Sequence, residues 1–432
     1  MDKYNRQIRK KLNKEKYTVL LVGGGGREHA IAEALVTSPQ LERLIVAPGN
    51  AGIAEIATVR DVSATDLQGI SDLAREEDVD IVFVAPDDPL AAGLTDRLWD
   101  LAFPSFGPSQ KAARIESSKH FAKELMARAK VPTAAYRRFI SAEQARAALE
   151  DESYPLVIKA DGLALGKGVY ICQDRSEAET AIHELLEEEK FGAAGREILF
   201  EEYLTGPELT VLAVSDGRSY KLLPSARDHK RAYDGNQGPN TGGMGVIAPV
   251  PEYTAELEAS IKERIITPIL AELERQASPF KGILYCGLML TADGPKVIEF
   301  NARFGDPEAQ AVIPLLGCDF LGLVLAVIKE ELEAFDLQIK EQASAVVVLA
   351  SGGYPGAYEK GYPITGLCEE EEDIRIYHAG TAKSGSDFVT AGGRVLAITA
   401  LAATVDEALE KAYRRVDSIN FQGKHFRKDI GK

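Results

Sequence analysis

Cysteine is scarce in this sequence. Its 432 residues hold four, Cys172, Cys286, Cys318 and Cys368, and no two are spaced as CxxC. That excludes a disulfide framework and a structural zinc site, and leaves reduced thiols. Long apolar runs are also missing. No stretch of eighteen apolar residues occurs, so no membrane span is expected. Basic charge is in deficit: the net charge is -16 and the pI near 5.0. A nucleic-acid partner is not expected, because no basic stripe appears beyond the first residues. Those first sixteen residues carry seven Lys/Arg against two acids. They lack the apolar centre of a signal peptide and read as a basic extension, frayed or weakly helical. These absences together predict a cytoplasmic globular protein with small-molecule partners. Local lysines can still bind phosphates in an acidic chain.

What is present is enough apolar material for several cores. Hydrophobic residues make up 45% and charged residues 27%, and this length predicts two to four units. Residues 17–118 alternate apolar runs with amphipathic stretches: YTVLLVG, then EHAIAEALVTS, RLIVAPG and DIVFVAP. Strand–helix alternation of this kind predicts a doubly wound parallel sheet. The glycine run Gly23–Gly26 after the first strand invites a dinucleotide reading. The G-x-G-x-x-G/A fingerprint fails in both frames, ending on Glu28 or His29, and the second strand ends in Ala47-Pro48-Gly49-Asn50 with no acid for a ribose. The run is either a phosphate-binding turn at a helix N-terminus, with Arg27 adding charge, or a tight turn needed only for packing.

From about Val157 the pattern changes to hairpins. PLVIKAD and GVYICQD are strands joined by GLALGKG, Gly162 to Gly168. Only three residues separate the glycines before Lys167, and Gly168 follows it, so this is a flexible glycine loop rather than a Walker loop. REILFEEYLTGPELTVLAVSDG supplies two strands around a joint. KGILYCGLMLTADGPKVIEFNARFGDPEAQ reads as a hairpin turning at Ala292-Asp293-Gly294. Hairpins of this kind continue toward residue 340. Residues 341–432, beginning with ASAVVVLASGG and holding a helix near Asp406 to Val416, form a small α+β C-terminal unit.

Glu299 and Asn301 are two apart on a strand, so both point to one face. A carboxylate and an amide oxygen make a hard-oxygen pair that suits magnesium, which completes its shell with water and phosphate. The same pair also suits an ordinary solvated strand face. Lys159 ends a buried strand, where an unpaired ammonium is costly; nucleotide phosphates or a salt bridge would satisfy it. Glu201 to Leu204 form a joint whose backbone could meet an adenine, and Glu208 lies where a carboxylate could hold ribose hydroxyls. The order Lys159, glycine loop, Glu joint, second Glu, E-x-N is far more specific than any one part.

That order resembles the ATP-grasp superfamily, in which two α+β lobes hold ATP between them, and implies an ATP-grasp α+β unit over residues 119–340 with a mobile lobe at about 137–207. GGGGREHA, APGNAG, IKADGLALGKGV, DHKRAYDGNQGPNTGGMG and above all RFGDPEAQ are similar to the phosphoribosylamine–glycine ligase (glycinamide ribonucleotide synthetase) family, from about Tyr17 to Gly431. The resemblance implies ATP, Mg2+ or Mn2+, glycine and 5-phosphoribosylamine as ligands, glycyl phosphate as intermediate, and a monomer in purine synthesis. It implies adenosine contacts at Glu201, Glu202, Tyr203, Leu204 and Glu208. ATP contacts follow at Lys119, Lys159, Lys167, Arg231 and Asn240, and metal ligands at Glu299 and Asn301. Arg303, with Lys159, would counter the reacting charge. Gly25, Gly26, Arg27, Glu28, His29, Pro48, Gly49 and Asn50 would face phosphoribosylamine, Asp87 would contact the amine substrate, and Asp228 would face the substrates. The sequence departs from the family at Asp87-Asp88, where Glu-Ala is usual, and at Leu165, where alanine is usual. The alternative reading is another ATP-grasp carboxylate–amine ligase; the absence of an acid on Tyr285 to Leu290 argues against a carboxylase relative.

Overall fold

The computed structural model describes residues 2–163, 168–367 and 371–432. A parallel five-stranded sheet opens the fold, ordered Thr58–Val59, Leu41–Pro48, Tyr17–Gly23, Ile81–Val84, Ser105–Phe106. Its central strand is buried throughout because both faces are covered. Tyr17, Val19 and Leu21 enter one core with Ile31 and Leu35 of the helix Gly26–Val36. Leu20 and Val22 enter another with Ile70 and Leu73 of the helix Leu67–Glu76. The sheet is therefore doubly wound.

The basic N-terminal extension forms the helix Asp2–Leu12. Lys11 donates to the Val79 carbonyl, Lys14 pairs with Asp80 at 2.6 Å, and Tyr17 Oη donates to the Leu12 carbonyl at 2.9 Å. The lysines that mark the extension in the sequence thus dock it on the first sheet.

Two antiparallel lobes follow. One has strands ordered Tyr136–Phe139, Ile198–Glu202, Leu156–Ala160, Val169–Cys172. It closes its own core, in which Leu156, Ile158 and Phe200 pack on Ala178, Ala181 and Ile182 of the helix Arg175–Ile182. The other lobe has the order Tyr220–Leu222, Glu208–Asp216, Lys281–Thr291, Gly294–Asn301. Its strand Glu208–Asp216 buries alternate residues in the same two cores that flank the first sheet. This lobe and the N-terminal sheet are one packed body, whereas the first lobe is internally self-sufficient.

A third antiparallel sheet crosses the chain's sequence divisions. Its order is Arg227–Asp228, Gly245–Ala248, Ala343–Ala350, Arg394–Ala402, Ile374–His378. The helix Val405–Ser418 packs on it through Ala412 and Val416. Among the described residues Cys172, Cys286 and Cys318 are free thiols; Cys368 lies outside them. No helix among the described residues is long and apolar enough to cross a membrane.

Candidate active site

The site is built on a fault in a ladder. Gly287 pairs with Glu299 and Leu288 with Val297, which leaves Ile298 bulged out of register. A bulge frees a carbonyl and redirects side chains, as often happens beside active sites. Here the Ile298 carbonyl accepts Lys159 Nζ at 3.1 Å. Beyond the bulge Glu299 and Asn301 flank buried Phe300, both partly exposed. Lys230 Nζ stands 3.6 Å from Glu299 Oε1. Burial raises the pKa of this carboxyl, but Lys230, Lys159 and Lys119 outweigh burial and hold it below the usual carboxylate range. It stays anionic and ready for a cation.

Three lysines converge across from this strand. Lys159 Nζ pairs with Glu201 at 2.9 Å and Lys123 Nζ with the same oxygen at 3.2 Å. Burial pushes the Lys123 ammonium down to about 8. Burial raises the Glu201 carboxyl, and the two lysines overcome it, so the pair of cations shares one buried anion. Lys119 Nζ donates to the Gly162 carbonyl at 2.9 Å, at the described edge of the glycine loop. Burial and neighbouring Lys159 lower its pKa against the pull of Glu299. Lys119, Lys123 and Lys159 concentrate positive charge at a largely buried point, which suits a polyphosphate.

The structure gathers Lys119, Lys159, Glu201 and Glu299 into one electrostatic unit. The Glu201 carboxylate is consumed by that unit, so at this residue only the backbone is free for a base. Glu202 and Tyr203 are exposed and Leu204 is buried. Glu208 lies 3.3 Å from Lys230, so Lys230 links Glu208 to Glu299. Arg231 pairs with Asn240 across a short hairpin, and its guanidinium donates to the Gly238 carbonyl at 2.7 Å. Asp228 has a buried Oδ1 without a partner; burial, then Glu308, pushes its carboxyl well up. Lys167 lies outside the described residues.

Arg303 stands just past the C-terminal end of the E-x-N strand. Its guanidinium pairs with Glu116 at 2.9 Å and Asp87 at 3.7 Å and donates to the Phe304 carbonyl at 3.1 Å, while its Nε is buried without a partner. Arg27 donates to the same Phe304 carbonyl at 3.1 Å. The N-terminal loops therefore meet the RFGDPEAQ segment at one point. Within them Glu28 caps Gly25 N–H at 2.6 Å and pairs with Arg27. Asn50 Nδ2 donates to the carbonyls of Gly24 and His378 at 3.0 and 2.8 Å. His29 Nδ1 accepts the His378 N–H at 2.8 Å. Gly49 N–H donates to the Gly23 carbonyl at 3.0 Å, and a Cβ on Gly24 would stand 2.4 Å from the Gly49 carbonyl oxygen. Glu28, His29 and Asn50 thus spend their side chains holding the loops together. Pro48 closes its strand opposite Gly23. The glycines of the run are demanded by close loop packing.

Sequence reasoning missed Glu116, Lys123 and Lys230. Each sits far along the chain from its partners. A trace of Glu116 exists: it falls on the buried face of the helix Gln110–Ser117 beside Ile115, where an acid needs a reason. Lys123 likewise lies on a buried helix face.

Glu299 and Asn301 offer two oxygen donors on one strand face, one held anionic. That donor set fits a hard divalent cation whose remaining ligands are phosphate and water.

Two α+β lobes that meet at a lysine cluster beside an E-x-N strand define an ATP-grasp enzyme. The biotin carboxylase domain of Hydrogenobacter thermophilus 2-oxoglutarate carboxylase shares this fold, with a TM-score of 0.75 at 17% identity over 96% of this chain and 92% of that one. The particular branch is set by the whole length. The chain belongs to the phosphoribosylglycinamide synthetase family: its N domain matches residues 17–116, its ATP-grasp (A) domain 117–309 and its C domain 344–432. Relatives named phosphoribosylamine–glycine ligase include that of Halalkalibacterium halodurans, 45% identical over 96% of both chains. That of Rhodopirellula baltica is 46% identical over 96% of this chain and 97% of the relative. The crystal structure of the Thermotoga maritima ligase has a TM-score of 0.85 at 34% identity, covering 95% of this chain and 99% of that one.

Proposed function

We infer that this chain is a phosphoribosylamine–glycine ligase, a carbon–nitrogen ligase of purine nucleotide biosynthesis that acts in the cytoplasm as a monomer. It joins glycine to 5-phosphoribosylamine and converts ATP to ADP and phosphate. The observation that carries this reading is the agreement of all three family domains, in order, with relatives of that name over nearly the full length of both chains. A different ATP-grasp carboxylate–amine ligase is not favoured, because the likeness to carboxylases is one of fold alone.

The chemistry follows from the residues. A carboxylate cannot be attacked by an amine at neutral pH because oxide is too poor a leaving group. Transfer of the γ-phosphoryl group to the glycine carboxylate forms glycyl phosphate and ADP. Attack by the amine nitrogen then makes the amide bond and releases inorganic phosphate. Phosphoryl transfer of this kind depends on positioning and charge stabilisation. In this reading Lys119 and Lys159 hold the phosphates, with Lys167, Arg231 and Asn240 adding contacts. The backbone at Glu201–Leu204, with Glu202 and Tyr203, takes the adenine, and Glu208 the ribose. Glu299 and Asn301 would hold Mg2+ or Mn2+, which when bound neutralises phosphate charge. Arg303 steadies the glycine carboxylate. Asp87, Asp228 and the loops Gly25–His29 and Pro48–Asn50 hold the substrates. The self-contained lobe core supports rigid-body movement of residues 137–207, which would exclude water from the acyl phosphate. ADP formation is the test: it should require both glycine and phosphoribosylamine. Equal turnover with formate or bicarbonate in place of glycine would overturn the reading.

A further inference from the structure

The C-terminal unit reaches into the site through one side chain and one stretch of backbone. Arg394, at the start of the strand Arg394–Ala402, donates through Nη1 to the carbonyls of Gly242 and Asp306, both at 2.6 Å, and more distantly to Gly243 at 3.5 Å. Its Nη2 pairs with Asp306 Oδ1 at 3.3 Å. The other Asp306 oxygen, Oδ2, is 3.5 Å from the Arg27 backbone N–H at the start of the helix Gly26–Val36. Asp306 is the third residue after Arg303. One guanidinium therefore ties together the NTGGMG segment, the RFGDPEAQ segment and, through Asp306, the first substrate loop.

The neighbouring strand of the same sheet completes the brace. His378 gives its N–H to His29 Nδ1 and its carbonyl to Asn50 Nδ2, both at 2.8 Å. The strand Ile374–His378 is itself paired with Arg394–Ala402, His378 opposite Leu396. Both loops assigned to phosphoribosylamine are thus anchored from the same C-terminal sheet edge. The lysine cluster at Lys119, Lys123 and Lys159 has no contact of this kind with that sheet among the bonds described above.

We propose that Arg394 is a positioning residue for the amine-substrate half of the site, acting through Asp306 to set the first substrate loop against the RFGDPEAQ segment. The proposal rests on the ligase reading for the identity of the amine, and on the geometry for the brace itself. An arginine is needed because a planar fork can serve two carbonyls and a carboxylate at once; a lysine offers a single point charge.

The test uses the full chain with Arg394→Gln and Arg394→Lys, and varies each substrate in turn. A misplacement of about 1 Å remote from the chemistry can cost up to about a hundredfold in rate. For Arg394→Gln we expect KM for phosphoribosylamine to rise at least about tenfold while KM for ATP stays within about twofold, with Arg394→Lys recovering part of the loss. A general fall of kcat with all KM values unchanged, or proportional loss matched by a smaller folded fraction, overturns it. Hydrogen exchange separates this from failure of the ligase reading. With Arg394→Gln, exchange should rise at residues 24–29 and 242–245 and stay unchanged at 156–160. Unchanged protection at 24–29 overturns the brace whichever substrates the enzyme uses.

Discussion

Glu116 splits its two carboxylate oxygens between neighbouring residues just past the strand Gly294–Asn301. One accepts the Ala302 N–H at 2.7 Å and the other pairs with Arg303 Nη2 at 2.9 Å. Burial pushes this carboxyl up to about 7, against the opposing effect of Arg303. Glu116→Gln keeps an acceptor for Ala302 and turns an amide donor toward the guanidinium. We expect kcat to fall between about ten- and a hundredfold with unchanged thermal melting. Glutamine also mimics protonated Glu116, so the ratio of wild-type to variant rates should shrink as pH drops below about 7. A ratio that is flat from pH 6 to 8 counts against this role for the pair.

Glu299→Ala tests the metal reading. Loss of one electrostatic stabiliser in a preorganised site costs about 3 kcal/mol, roughly a hundredfold in rate. Glu299 is partly exposed, so stability should survive. Lys230 would lose an anionic neighbour and nucleotide binding should weaken chiefly at limiting magnesium. Normal turnover of the variant under limiting magnesium would remove Glu299 from the site.

The intermediate can be followed by isotope. If the glycine carboxylate is phosphorylated, one of its oxygens leaves with inorganic phosphate. Glycine labelled with heavy oxygen in both carboxylate positions should pass one label to phosphate per turnover. Unlabelled phosphate would mean that activation takes another route.

His29 makes a pH-dependent contribution to stability. Its Nδ1 must be unprotonated to accept the His378 N–H. Burial, reinforced by His378, lowers its pKa from 6.5 to about 3. Above pH 6.5 neither the folded nor the unfolded state carries the proton, and the contribution is complete. As pH falls from 6.5 toward 3 the unfolded chain takes up a proton that the folded chain refuses, so the contribution shrinks, by at most about 1.4 kcal/mol per pH unit. Denaturant melts of wild type and His29→Asn should therefore converge between pH 7 and 5. A stability gap that widens on acidification would show that His29 is protonated in the fold.

The parts of this fold governed by local pattern were legible in the sequence. The apolar run Tyr17–Gly23 had to be a strand covered on both faces, and the Asp-Gly turn at 293–294 had to close a hairpin. The E-x-N pair gave its shared face by alternation, although the bulge at Ile298 had no sequence signal and is what offers a carbonyl to Lys159. The partnerships of the site were less legible because they close over long separations. Glu116 meets Ala302 across 186 residues and Arg394 meets Gly242 across 152. Lys159 illustrates the limit: its burial implied a counter-charge, but only the fold shows Glu201 already supplying one and Lys123 sharing it.

The third sheet bears on how this chain can be divided. Ala343–Ala350 lies between Gly245–Ala248 and Arg394–Ala402 and is buried along its whole length. A cut near residue 340 would fall in sequence between recognisable units but would split a hydrogen-bonded sheet in space. The upstream fragment would keep Gly245–Ala248 as a bare apolar edge, a template for pairing with other chains. The downstream fragment would lose the cover on its own strand. Separately expressed halves should aggregate on their own and become soluble only when co-produced, so that the linker's sequence suggests modules where the sheet has made a single cooperative object.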